Sequence, residues 1–273
     1  MTETLRYISF GSGSSGNCSL LWTSTDALFI DAGVGTRLLK KYFAEYGVSL
    51  PPFCSILVTH DHADHVKCVG ALCHDHSLPV YATAAVHNGI DRNYCVSRKV
   101  PVGYRKYLTY GQTENVGAFR VTPFRVPHDS TDNVGFQIMW NNVCFVIITD
   151  AGCVTTDMAE YIHRANYLVI EANHDLEMLD SGPYPMILKE RIKSDTGHLS
   201  NVNCGQAIVQ YASPQLRHVW LCHLSQENNH PVLAQKTVET ILRSNGIVCG
   251  VDFRLDVLRR RGVTGVFDLV NEE

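Results

Sequence analysis

Hydrophobic positions in this chain gather in short runs, separated by polar stretches rich in glycine, asparagine and aspartate. Enrichment in β-branched and aromatic residues predicts strands over 7–10, 19–22, 27–30, 55–59, 80–82, 119–124, 135–140, 143–149, 167–171 and 218–222. Helical patterning predicts helices over 36–46, 66–74, 201–211 and 231–245. In the last of these, Leu233, Thr237, Ile241 and Leu242 fall near helical spacing and Gly246 supplies a stop. Strands alternating with helices indicate an α/β layered architecture rather than a bundle or a pure sandwich. No low-complexity linker breaks the pattern, so a single domain over 1–273 is expected.

The pattern repeats once. "ALFIDAGVGTRLL" (27–39) echoes "CFVIITDAGCVTTDM" (144–158): an apolar strand, then Asp-Ala-Gly, then a helix start. Asp31 and Asp150 take equivalent places, which implies two similar βα halves, each with an aspartate at a strand end.

The candidate chemistry lies at such strand ends. "VTHDHADH" (58–65) puts three histidines and two aspartates directly behind an apolar run. Alternate residues share a face of an extended segment, so His60 and His62 can address one metal ion. Asp64 and His65 turn with the loop and can address a second. Burying these groups unpaired would be strongly unfavourable, so the pattern points to cations rather than to a polar surface loop. Further donors end other strands: His128 after "VTPFRVP", Asp150 after "VCFVIIT" and His223 after "HVWLC". With Asp150 bridging, they complete two sites. One is His60, His62, His128 and Asp150; the other is Asp64, His65, Asp150 and His223. Imidazole and carboxylate suit Zn, Mn and Fe alike, so two divalent ions per chain are expected and their identity is left open.

Composition changes this picture little. Hydrophobic residues are 45% and charged residues 18% of the 273, ordinary for a compact protein. No apolar run approaches the ~18 residues of a membrane span. The N-terminus lacks a basic region followed by an apolar core, so a cytoplasmic protein is expected. Ten cysteines, several inside apolar runs and none in a C-x-x-C pair, read as reduced, small, buried side chains. A net charge of −4 argues against nucleic-acid binding, but cations would reverse the sign locally. Basic groups also cluster at Arg98-Lys99 with Arg105-Lys106, at Lys189, Arg191 and Lys193, and at Arg259-Arg260-Arg261.

The order H-x-H-x-D-H, His, Asp, His resembles the metallo-β-lactamase superfamily. "FGSGSSGNCSLL" (10–21), "VPHDS" (126–130), "ITDAG" (148–152), "EANHDLEMLDSGPYPMILKERIKSDTGHLSN" (171–201) and "HLSQENN" (223–229) narrow the resemblance to its bacterial YycJ/WalJ-type branch. The stretch around Cys95–Tyr110 and the basic tail near Arg259 carry no motif of that branch. The resemblance implies a four-layer αββα sandwich of two pseudo-symmetric halves. It also implies a dinuclear metal-dependent phosphodiesterase, a 5′-to-3′ exonuclease on double-stranded DNA, with duplex ends as substrate. In that chemistry a hydroxide shared by the metals attacks phosphorus. Asp64 serves catalysis as a ligand, and His198, in "DTGHLSN", assists the leaving group like the non-ligand histidine of the phosphodiesterase branches.

Asn17, Glu171, Asn173 and His174 are expected around the metals or the substrate. Asp31 and Asp61 are expected to orient ligating imidazoles or loop amides. "GSGSSGN" lacks the Gly-Lys-Ser/Thr of a P-loop and reads as a tight turn that brings Asn17 near the metals. His74 and His76 have no carboxylate at ligand spacing and read as surface residues. The rival readings are a small-molecule hydrolase acting on a cyclic phosphate or a thioester, and a metal-stabilised regulatory protein without turnover.

Overall fold

Strands joined by short turns pair antiparallel and strands joined by helices pair parallel, and both halves of this chain follow that rule in the same order. The structure, a computed structural model, describes residues 3–269. The first half forms β1 (Leu5–Gly11), β2 (Cys18–Trp22), β3 (Asp26–Ile30), β4 (Phe53–Leu57), β5 (Val80–Ala82) and β6 (Arg105–Tyr107). Between β3 and β6 run α1 (Thr36–Tyr46), α2 (Ala63–Val66), α3 (Val69–His76) and α4 (Ala84–Arg92). The second half forms β7 (Glu114–Val116), β8 (Phe119–Arg125), β9 (Val134–Trp140), β10 (Val143–Ile148), β11 (Tyr167–Glu171), β12 (His218–Cys222) and β13 (Arg254–Val257). Its helices are α5 (Thr156–Arg164), α6 (Leu176–Ser181), α7 (Met186–Lys193), α8 (Asn201–Tyr211) and α9 (Pro231–Ser244), and β14 (Thr264–Leu269) returns to the first sheet.

The two sheets run β14-β1-β2-β3-β4-β5-β6 and β7-β8-β9-β10-β11-β12-β13. Read in those orders they match strand for strand: three antiparallel pairings, then three parallel ones. β3 thus corresponds to β10, and the Asp-Ala-Gly echo is a real equivalence of the two halves.

Alternation along the buried strands builds the layers. Phe145 and Ile147, Tyr167 and Val169, Trp220 and Cys222 join the core between the sheets. Their neighbours Val146 and Ile148, Leu168 and Ile170, Val219 and Leu221 face the other way, under Met158 and Ile162 of α5, Ile208 of α8 and Val238 of α9. Leu39 of α1, Leu72 of α3 and Ile90 of α4 cover the first sheet. Helix, sheet, sheet and helix give the expected four layers. Tyr7, Phe145 and Trp220 clamp the two sheets together, with ring centroids 4.9 and 5.0 Å from Tyr7.

Some elements differ from expectation. The helix expected over 66–74 is two helices, α2 and α3, broken where the Cys68 amide turns to the Ala32 carbonyl. That break gives Asp64 and His65 their own short turn. The strand expected over 55–59 starts at Phe53 and leaves the sheet after Leu57, because the Thr59 amide donates to Asp31 instead of to a strand. β6, β7, β13 and β14 are edge strands of three to six residues, and α4 to α7 are helices of six to nine residues, too short to stand out from their surroundings. The motif-less stretch 95–110 supplies the edge strand β6. All ten cysteines are free, five of them buried and five half-buried.

Candidate metal centre

Five non-glycine residues among those described hold left-handed backbone, and three of them follow strands into one cluster: Asp31 after β3 (φ 62°), Asp150 after β10 (φ 53°) and His223 after β12 (φ 52°). Such strain persists only where the surroundings over-determine it, and it concentrates at functional sites. The two Asp-Ala-Gly glycines share one physical reason. A Cβ on Gly33 would lie 1.6 Å from the Asp64 carbonyl, and one on Gly152 would lie 2.2 Å from the Asp195 carbonyl. Each half therefore needs glycine to let a site-bearing segment come close, the first bearing Asp64 and His65, the second His198.

At this edge of the sandwich the fold gathers every expected ligand. Ligand atoms of His60, His62 and His128 lie within 4.8 Å of one another, as do those of Asp64, His65 and His223, and those of His60, His65 and Asp150. Asp150 stands between the groups: its Oδ1 is 3.8 Å from His128 Nε2 and its Oδ2 is 3.3 Å from His65 Nε2.

The rings are anchored through one nitrogen and offer the other. His65 Nδ1 is 2.7 Å from Asp31 Oδ2, and His60 Nδ1 is 3.0 Å from the hydroxyl of Thr59, which itself donates to Asp31. His128 Nδ1 donates to the Gly197 carbonyl at 3.0 Å. His198 Nδ1 and His223 Nδ1 both reach Glu171 Oε1, at 2.8 and 3.0 Å. In return, His60 Nε2 and His223 Nε2 are buried with no hydrogen-bond partner. Leaving such an atom bare costs about 1–3 kcal/mol. Anchored Nδ1 with a bare, inward Nε2 is how a metal-ligating histidine is held, so these residues fit divalent cations. His60 and His223 show this in full; His65 Nε2 meets the Asn17 amide nitrogen at 2.8 Å, and His128 Nε2 lies 3.4 Å from His62 Nδ1.

Without a cation the cluster holds protons. Burial disfavours the His65 cation, but Asp31, Asp150 and Asp64 outweigh it and push its pKa up to about 10. Burial is likewise overcome at His223, where Asp150, Asp64 and Glu171 hold the ring well above the ordinary imidazole range. His60 is held well below that range by burial and by His65. Asp150 stays far below the usual carboxylate range because His223 and His65 outweigh its burial.

The other expected residues separate by what they touch. Asn17 caps the second group: its amide nitrogen is 2.8 Å from His65 Nε2 and 3.1 Å from Asp64 Oδ2, so a cation there requires Asn17 to yield. Glu171, fully buried, is the hub: besides the two rings it accepts the Ala151 amide at 2.7 Å and the Leu199 amide at 3.2 Å. Asn173 braces the backbone of His223 by donating to its carbonyl at 2.9 Å. His174 is buried, enters none of the groups above, and has its pKa lowered to about 4 by burial. Asp31 orients an imidazole, while Asp61 accepts the amide and hydroxyl of Thr131 and so orients the loop behind His128. His74 and His76 are exposed.

Thr59, Gly197 and Thr149, whose hydroxyl donates to Asp150 Oδ2 at 2.7 Å, were not singled out from sequence. Their only signal is adjacency to a ligand or to His198. Most of the basic clusters are already engaged: Arg105 with Asp91, Arg98 with Asp75, Arg191 with Asp129, Lys193 with Asp180. A cavity of about 410 Å³ around Gln137 and Cys144 lies near the opposite end of β10 and gathers no comparable donors.

A family model described as a Beta-lactamase superfamily domain matches residues 27–224, the span that contains every residue of both groups. The chain belongs to the β-lactamase superfamily. Within it, the curated relatives it matches include "Exodeoxyribonuclease YycJ" of Bacillus anthracis, 33% identical over 92% of this chain and 94% of that protein. "Exodeoxyribonuclease WalJ" of Streptococcus pneumoniae is 34% identical over 92% of this chain and 93% of its own. Among solved structures of the superfamily fold, YhfI from Bacillus subtilis aligns with a TM-score of 0.69 at 15% identity, covering 96% of this chain and 99% of its own. Zn(2+)-bound PqqB from Methylobacterium extorquens aligns with a TM-score of 0.69 at 16% identity, covering 97% and 100%. Among the described residues of this superfamily member, no helix is long and apolar enough to cross a membrane.

Proposed function

We propose that this chain is a dinuclear metal-dependent exodeoxyribonuclease, cytoplasmic, that hydrolyses phosphodiester bonds at the ends of duplex DNA. The observation that carries the reading is the gathering of anchored imidazoles and carboxylates in which Nε2 of His60 and of His223 is buried without a partner, with His198 held beside them on Glu171. His60, His62, His128 and Asp150 would hold one ion; Asp64, His65, Asp150 and His223 would hold the other. Bound, the two ions supply Lewis-acid charge beside the phosphate and acidify the attacking water. The exodeoxyribonuclease relatives, matched over almost their whole length, supply the substrate class.

The chain's own residues do the rest. Glu171 pins His198 Nδ1, which leaves Nε2 of a ring whose side chain is 19% exposed to meet substrate. Burial opposes the His198 cation, but Glu171 and Asp150 prevail and raise its pKa. A protonated ring so placed can deliver a proton to the departing oxygen. The same Glu171 turns Nε2 of His223 toward Asp64, 3.5 Å away, so one buried carboxylate aligns a ligand and a proton donor together.

The direct test is hydrolysis of 5′- and 3′-labelled duplex and single-stranded DNA across Zn²⁺, Mn²⁺ and Fe²⁺. Bis(p-nitrophenyl) phosphate and a thioester are assayed in parallel. Cleavage of the thioester alone would remove the nuclease reading.

Two further outcomes are expected. Glu171→Gln cannot accept on both sides, because its amide donor must face either the two rings or the two backbone amides. It should cost about 1–3 kcal/mol of stability and weaken cation binding about 10–100-fold, read by thermal melting and by competition with a chromophoric chelator. The second concerns protons. At pH 7 His65, with its pKa pushed up to about 10, carries a proton that ligation must displace, and the raised pKa of His223 acts in the same direction, so cation binding should release protons. Affinity should then fall as pH falls. Calorimetric titration in buffers of different ionisation enthalpy measures this, and heats independent of the buffer would refute it.

A further inference from the structure

Beside the loop that carries Asn17, the surface opens into a cavity of about 210 Å³. Phe10, Leu38 and Tyr42 supply an apolar wall; Ser15, Arg260 and Arg261 supply polar groups and charge, and no carboxylate lines it. The Phe10 and Tyr42 rings lie nearly parallel, 7° apart with centroids 6.3 Å apart.

Two side chains here lack the partners that folding alone would give them. Leu38 is 41% exposed although its neighbour Leu39 is in the core. Arg261 is exposed and, among the described residues, makes no ion pair or side-chain hydrogen bond, whereas Arg260 donates to the Ser225 and Asn229 carbonyls. The turn that presents Arg261 is nonetheless fixed. The Arg259 carbonyl accepts the Ser12 amide at 3.0 Å, and the Arg259 amide donates to the Thr264 hydroxyl at 2.8 Å. A held cation beside an open apolar wall has the two halves of nucleotide chemistry: a surface for a base and a guanidinium for a phosphate.

Position links this cavity to the metal centre. Ser15 is two residues from Asn17, whose amide touches Asp64 and His65. Two residues of chain span at most about 7 Å, so the Ser15 rim of the cavity stands close to the loop that borders the second group. We infer that this cavity is a nucleotide subsite for the residue flanking the scissile phosphate, with the base against Leu38 and Tyr42 and the phosphate on Arg261. The inference rests on the nuclease reading above. It also places a local positive charge on a chain whose net charge is −4.

Arg261→Ala and Leu38→Glu test it, since both side chains reach solvent and thermal melting confirms that each variant folds. With labelled duplex DNA, KM should rise about tenfold in each. In Arg261→Ala the slope of log affinity against log salt should fall by about one. Bis(p-nitrophenyl) phosphate, which carries no nucleobase and no flanking phosphate, should be hydrolysed as by the wild type. DNA kinetics and salt slope unchanged in both variants overturn the subsite alone. A wild-type protein that cleaves the small ester and no nucleic acid overturns the nuclease reading, and the subsite falls with it.

Discussion

Asp150→Asn is expected to abolish phosphodiester hydrolysis, lowering kcat/KM by more than about 10³-fold. Asparagine is the informative replacement because it tolerates the left-handed backbone that Asp150 adopts at φ 53°. Shape and backbone survive; the charge does not. The variant has one neutral oxygen where Asp150 sets two charged ones between His128 and His65. Its amide nitrogen must also face either the Thr149 hydroxyl, which can turn to accept it, or the histidine side, where it displaces a ligand oxygen. Elemental analysis after dialysis should therefore show loss of bound metal with a folded circular-dichroism spectrum. Full metal content and full activity in this variant would sink the bridging role.

His198→Ala should leave metal content near wild type and lower kcat on DNA by about 10²–10⁴-fold. The discriminating readout is the leaving group. An alkoxide from DNA needs a proton as it departs, and p-nitrophenolate does not, so the loss should be much smaller on bis(p-nitrophenyl) phosphate. If His198 merely supported the loop that carries it, both substrates would suffer equally. Direction of pH dependence follows from the same geometry. Glu171 raises the His198 pKa, so the acid form persists above the ordinary imidazole range and activity should decline on the basic side as it is lost. That decline should vanish from the kcat profile of the alanine variant.

The strand-end histidines and aspartates could be found without coordinates because ligand chemistry is a property of residue type, and apolar runs mark the strands that deliver them. The Asp31/Asp150 echo was visible because both halves place an aspartate and a close-approach glycine after the same strand, although Asp31 orients an imidazole and Asp150 stands among the ligand atoms. α1 and α8 were bounded as expected because each has a marked end, Gly47 closing α1 in the left-handed region and Ser200 capping α8. Glu171 looked like one polar residue after a strand among several. Nothing local distinguishes it from Asn173 or His174, yet it is the group that ties His198 to His223.

Residue order and composition were enough to set the layered architecture, the two equivalent halves and the histidines and aspartates that gather at the candidate site, since these follow from periodicity and from which side chains can bind a cation. Which nitrogen of each ring is anchored, which carboxylate serves as hub and where α2 breaks from α3 depended on packing between segments far apart in the chain. So did the placing of Arg261 beside the loop of Ser15. Hydrogen-bond partners across such separations are selected by three-dimensional proximity, and a local pattern of residues does not encode it.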